Sequence, residues 1–136
     1  MSTGQPQHAS SPQPFALWSL GFRPFYLLAG LFAVFTISCW VAQFAGWLGH
    51  GYLANSLWHA HEMIFGYALA VIVGFLFTAV RNWTNQSTPS GIPLAAIAAL
   101  WIAGRVFVLA GWPTIADIAD SAFTVSAAIC IAVPLI

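Results

Sequence analysis

The chain has 136 residues, of which 60% are hydrophobic and 4% charged, and its formal net charge is zero. A soluble domain carries about 25% charged residues, so this composition excludes a water-facing globule and describes an integral membrane protein. Three arginines against Glu62, Asp117 and Asp120 leave no basic patch for nucleic acid and no polybasic run for anionic lipid.

Residues 1–14 are polar, uncharged and proline-containing. They cannot bury enough apolar surface to offset their ordering entropy, and a disordered tail holding His8 is expected. The stretch Leu17-Trp18-Ser19-Leu20-Gly21-Phe22-Arg23-Pro24 is amphipathic, with Trp and Arg suited to the headgroup level. The remaining chain, 15–136, reads as one all-α, polytopic membrane domain. About 20 apolar residues cross a bilayer, so it holds about four crossings.

The first span is expected over residues 25–47 and carries no charge; Gly46, Gly49 and Gly51 then open a short loop with His50. The second, 58–80, begins with Trp58-His59-Ala60-His61-Glu62-Met63 and ends at Arg81-Asn82-Trp83. A polar loop to Gly91 follows. The third span, 92–110, is interrupted by Arg105, and Gly111-Trp112-Pro113 is a tight turn into the fourth, 115–136. Thr114 is the expected N-cap there, with Asp117 and Asp120 facing the positive end of the helix dipole. The fourth span stops at Ile136 with no polar interface residue, so a truncated chain is expected. Cys39 and Cys130 lie in apolar runs without a CxxC pattern and read as small apolar residues.

Arg23 precedes the first span and Arg81 follows the second, while the intervening loop and the Gly111–Pro113 turn carry no Lys or Arg. The positive-inside rule then puts the N-terminus in the cytoplasm. On that topology His59, His61, Glu62, Arg105, Asp117 and Asp120 all fall in the outer part of the membrane. Ionisable groups there are costly and mark function by default.

On a regular helix His59, Glu62, Gly66, Ala70 and Gly74 share one face, and the small residues let another helix approach closely. His61 points about 200° away, so two histidines at i, i+2 reach one metal ion only if the first turn departs from an α-helix. The imidazoles suit haem iron or copper, and Glu62 suits a hydrogen bond to His59 or a proton relay. Arg105 is read either as a snorkelling side chain stacked on Trp101 or as an ion-pair or propionate partner. Spacing does not separate a metal centre from a proton or small-solute transport module, or from a non-catalytic helical membrane subunit. No Gly-x-Ser-x-Gly motif or phosphate-cradling glycine loop supports another chemistry.

Gly21-Phe22-Arg23-Pro24-Phe25, the WHAHEMIFG stretch at 58–66, Gly74-Phe75-Leu76 with Thr78-Ala79-Val80, and Asn82-Trp83-Thr84 resemble the N-terminal part of the NnrS family, in this order. The segment from Ser90-Gly91 to Ala103-Gly104-Arg105 is similar too. The resemblance implies a bacterial inner-membrane protein carrying haem and copper, connected with nitric oxide and nitrosative stress in denitrification-type metabolism. It implies about a dozen spans in the family, of which this chain resembles the first third, a fragment of a larger bundle completed by further helices or another membrane subunit. Carried onto this sequence, His59 and His61 are the candidate metal or haem ligands. Glu62 is then their supporting partner, and Arg105 a propionate or structural partner.

Overall fold

The computed structural model describes residues 16–19, 22–49, 53 and 55–136. The expected tail at 1–14, and His50 and Gly51 of the first loop, lie outside the described residues. Among the described residues every regular element is helical, and four helices are long and apolar enough to cross a membrane. The protein is an all-α, multi-pass membrane protein.

A 3-10 turn at Ala16–Ser19 precedes α1, Phe22–Phe44. The second span, Ser56–Thr84, is one helix of 29 residues with a change of winding inside it. It begins as α2, Asn55–His61, widens into a π-helix over Glu62–Ala68, and resumes as α3, Leu69–Thr84. Helices α4, Ile92–Ala110, and α5, Pro113–Ala132, form a hairpin, and a 3-10 turn at Val133–Leu135 ends the chain.

The hairpin turn follows from two residues. Gly111 caps α4 in the left-handed region at φ 76°, its N–H bonding back to the last turn; such a φ strains any residue with a Cβ. Pro113 then opens α5, with Trp112 rather than Thr114 in the N-cap position. Proline is pre-set for the first helical position and needs no donor partner there, so the helix starts earlier than a threonine cap predicts. Neither aspartate therefore lies in its first turn.

All four spans meet in one core. Phe25, Ala29 and Phe32 of α1 pack on Ala70, Val73 and Phe77 of α3, with Leu94, Ile97, Ala98 and Trp101 of α4 and Phe123 and Ala127 of α5. The Phe25 ring lies 6.0 Å from Phe77 and 5.9 Å from Phe123. The small residues of the second span do what their spacing predicts. Gly66 lies directly under the Phe32 ring, where a Cβ would overlap it, and a Cβ at Gly74 would sit 3.0 Å from that of Phe25. The outer surface is apolar, with Val34, Phe44, Trp83 and Ile92 among the most exposed side chains. Such a surface suits lipid.

The bundle has two chemically distinct ends. Arg23 and Arg81 belong to one, at the start of α1 and the end of α3. The other, where α1 ends, α2 begins and α4 turns into α5, gathers Glu62, Arg105, Asp117 and Asp120 with His59 and His61.

Candidate functional site

The π-helix starts at Glu62, inside the WHAHEM stretch. π-helical winding is rare and usually marks a functional position, because it weakens backbone bonding to re-aim side chains. One carbonyl of this segment finds a partner on another helix: Trp101 Nε1 donates to Gly66 O at 3.0 Å. That bond takes Trp101 away from Arg105, and its ring packs edge-on against Phe32 at 5.2 Å.

Four side chains then close a ring of charge. Arg105, 4% exposed, donates through Nη1 to Glu62 Oε2 at 3.2 Å and through Nη2 to both oxygens of Asp120. Glu62, 1% exposed, presents its other oxygen, Oε1, to His61 Nδ1 at 3.1 Å. His61 Nε2 completes the circuit 3.7 Å from Asp120 Oδ2. A guanidinium is the cation suited to this position, because its fork serves two carboxylates in one plane. Gly104 makes the approach possible, since a Cβ there would overlap the Asp120 carboxylate. Arg105 is thus an ion-pair partner inside the bundle, not a snorkelling residue on Trp101.

The two histidines divide differently from a helical-wheel reading. The wheel groups His59 with Glu62 and turns His61 away. In the structure His61 joins Glu62 and Asp120, because the Arg105 charge draws the Glu62 carboxylate inward and Asp120 of α5 lies on the side His61 points to. His59 instead stacks on Trp40 of α1, with ring centroids 4.5 Å apart and planes within 17°. Its Nδ1 is buried without a hydrogen-bond partner. Trp58, beside it, belongs to a second small core with Val108 and Ala116.

The histidines therefore do not converge, and among the described residues no group of three or more His, Cys, Asp or Glu is placed to hold a metal ion. Cys39 and Cys130 are free thiols away from the ring of charge. Among the described residues, then, no donor set for copper is gathered in one place. For haem, which an imidazole can hold, His59 is the uncommitted candidate among the described histidines, whereas His61 already faces two carboxylates. Sequence reading puts Asp120 in the outer cluster and at a helix start, but does not pair it with Arg105. A signal for it exists: Arg105 and Asp120 are equally far along the chain from the Trp112–Pro113 junction, so an antiparallel hairpin sets them level.

The family model described as NnrS protein matches residues 16–136. No curated protein matches the chain. No solved structure matches it either.

Proposed function

The chain belongs to the NnrS family, and we propose that it serves the nitric oxide response of a bacterial inner membrane as a haem-carrying protein, with His59 as the haem ligand. The observation that supports this ligand is the buried, unpartnered Nδ1 of His59. A buried polar nitrogen without a partner costs about 1–3 kcal/mol, so its retention calls for a role. Haem bound here would supply an iron able to take a small diatomic gas, with the polarity around it setting the affinity.

The chain's own residues do three things in this reading. Trp40 fixes the plane of the His59 imidazole by stacking. The Arg105 ring of charge ties α4 and α5 to the π-segment, which holds the helix turn bearing His59 in place. Glu62 acts as a clasp: both its oxygens are taken, one by Arg105 and one by His61.

The absorption spectrum of the detergent-purified chain, expressed with haem supplied, tests the proposal. A Soret band is expected in the parent and in His61→Ala, and is expected to vanish in His59→Ala. A band lost in His61→Ala but kept in His59→Ala would reverse the assignment, and a colourless parent would remove the haem reading altogether.

Orientation rests on Arg23 and Arg81 sharing one end of the bundle, which the positive-inside rule assigns to the cytoplasm along with the N-terminus. A reporter fused after Arg81 is expected to be active only in its cytoplasmic form. Periplasmic activity would turn the bundle over and put the ring of charge on the cytoplasmic side.

A further inference from the structure

One groove on the membrane-facing wall sets polar side chains into a largely apolar surface. It has a volume of about 510 Å³ and runs between the π-segment and α5, with His61 and Asp120 at its floor. Asp117, Ser121 and Thr124 form its α5 wall, and all three are exposed. They follow at four- and three-residue steps, so they stand on one helix face. Phe65 and Val125 supply apolar flanks. All of this lies within spans that are long and apolar enough to cross a membrane. Asp117 is about 6 Å of helix rise below Pro113, and Thr124 about 10 Å deeper still. The Thr124 hydroxyl is satisfied within its own helix, donating to Asp120 O at 2.8 Å, but an exposed carboxylate such as Asp117 is covered by protein or faces a water-filled cavity.

Charge selects the occupant. This end of the bundle holds three carboxylates, Glu62, Asp117 and Asp120, against one arginine, Arg105, which is already committed to Glu62 and Asp120. Asp117 takes part in no ion pair among the described residues. Arg23 and Arg81 are at the opposite end. A second copy of the chain brings the same acidic surplus and no cation at this level, so a symmetric pairing on this groove sets carboxylate against carboxylate. Lipid phosphate is repelled for the same reason. A small soluble cation would satisfy Asp117 but would leave the remaining wall, two helical turns long, facing hydrocarbon. A helix fills it, because small side chains at these steps permit close helix approach.

We propose that the groove between the π-segment and α5 is the docking site of a further transmembrane helix that carries one lysine or arginine level with Asp117. This rests on the groove and its charge, and holds whether or not His59 binds haem.

The test uses this chain in zwitterionic vesicles, with Cys39→Ala and Cys130→Ala and a fluorescent donor on Thr114→Cys, an exposed position beside the turn. The probes are three acceptor-labelled Leu/Ala transmembrane peptides that differ only at one outer-half position, occupied by Lys, Leu or Glu. Energy transfer to the Lys peptide is expected at a roughly tenfold lower mole fraction than to the Leu or Glu peptide, and Asp117→Asn is expected to erase the difference. Asp117→Asn alters an exposed side chain, and its unchanged unfolding midpoint serves as the folding control. Equal transfer to the three peptides overturns the proposal, as does a lysine preference that survives Asp117→Asn. Transfer between donor- and acceptor-labelled copies of the chain without peptide assigns the groove to a second copy and overturns it too. So does loss of the Lys-peptide signal on adding millimolar ethylammonium at matched ionic strength, which assigns the site to a small cation.

Discussion

Arg105→Met is expected to lower the unfolding free energy of the detergent-solubilised protein by about 3–5 kcal/mol, the usual cost of removing one partner from a buried ion pair. Methionine fills most of the volume that arginine leaves, so the loss reads out electrostatics more than packing. It leaves Glu62 and Asp120, 1% and 7% exposed, with the His61 imidazole but no guanidinium beside them. Neutralising both carboxylates in the same background, with Glu62→Gln and Asp120→Asn, is expected to restore much of the loss, because the penalty lies in the unpaired charges. Arg105→Lys should fall between, since an ammonium keeps the charge but lacks the fork that serves two carboxylates. Titration with a denaturing detergent measures all four proteins. An Arg105→Met protein as stable as its parent would dissolve the ring of charge as a structural device.

Gly66→Ala is expected to destabilise the bundle by about 1–3 kcal/mol, the range for inserting a methyl into a filled interior. Helix propensity pulls the other way, since alanine gains about 0.5–1 kcal/mol over glycine in a helix. Sterics win here because the added Cβ would overlap the Phe32 ring, and Phe32 is also packed by Trp101 at 5.2 Å and Phe35 at 6.3 Å. The ring cannot step aside without vacating its place against Trp101, whose indole bonds the same glycine's carbonyl. Gly30→Ala is the control: nothing lies within 4 Å of that Cβ position, so the propensity gain should appear alone. Phe32→Leu combined with Gly66→Ala should relieve the clash. If Gly66→Ala stabilises the protein as much as Gly30→Ala does, the close approach of α1 to the π-segment is wrong.

The fold was legible because a bilayer leaves the chain few choices: long uncharged runs between glycine-, proline- and aromatic-marked loops become helices. The ends of those helices were less legible. Pro113 took the first position of α5 from the threonine beside it, since a fixed φ competes with a side-chain cap and both residues carry a signal. At the site, the sequence grouped the right end of the molecule but not the right pairs. A helical wheel assumes constant winding and neutral neighbours, and here the winding widens at Glu62 while Arg105 pulls the carboxylate toward α4. The Trp40–His59 stack joins residues on either side of a loop, and such contacts leave no trace in local periodicity.

The arrangement of the charges also bears on how the protein is made. An arginine or aspartate at the centre of a helix costs roughly 2.5–3.5 kcal/mol when that helix partitions alone from the translocon into lipid. Arg105 and Asp120 sit on consecutive helices joined by a turn of two residues, Gly111 and Trp112. They can therefore meet while both segments are still within the insertion machinery, and leave it as a neutralised hairpin. Glu62, on a span synthesised earlier, would then be the charge left waiting in the membrane until that hairpin arrives.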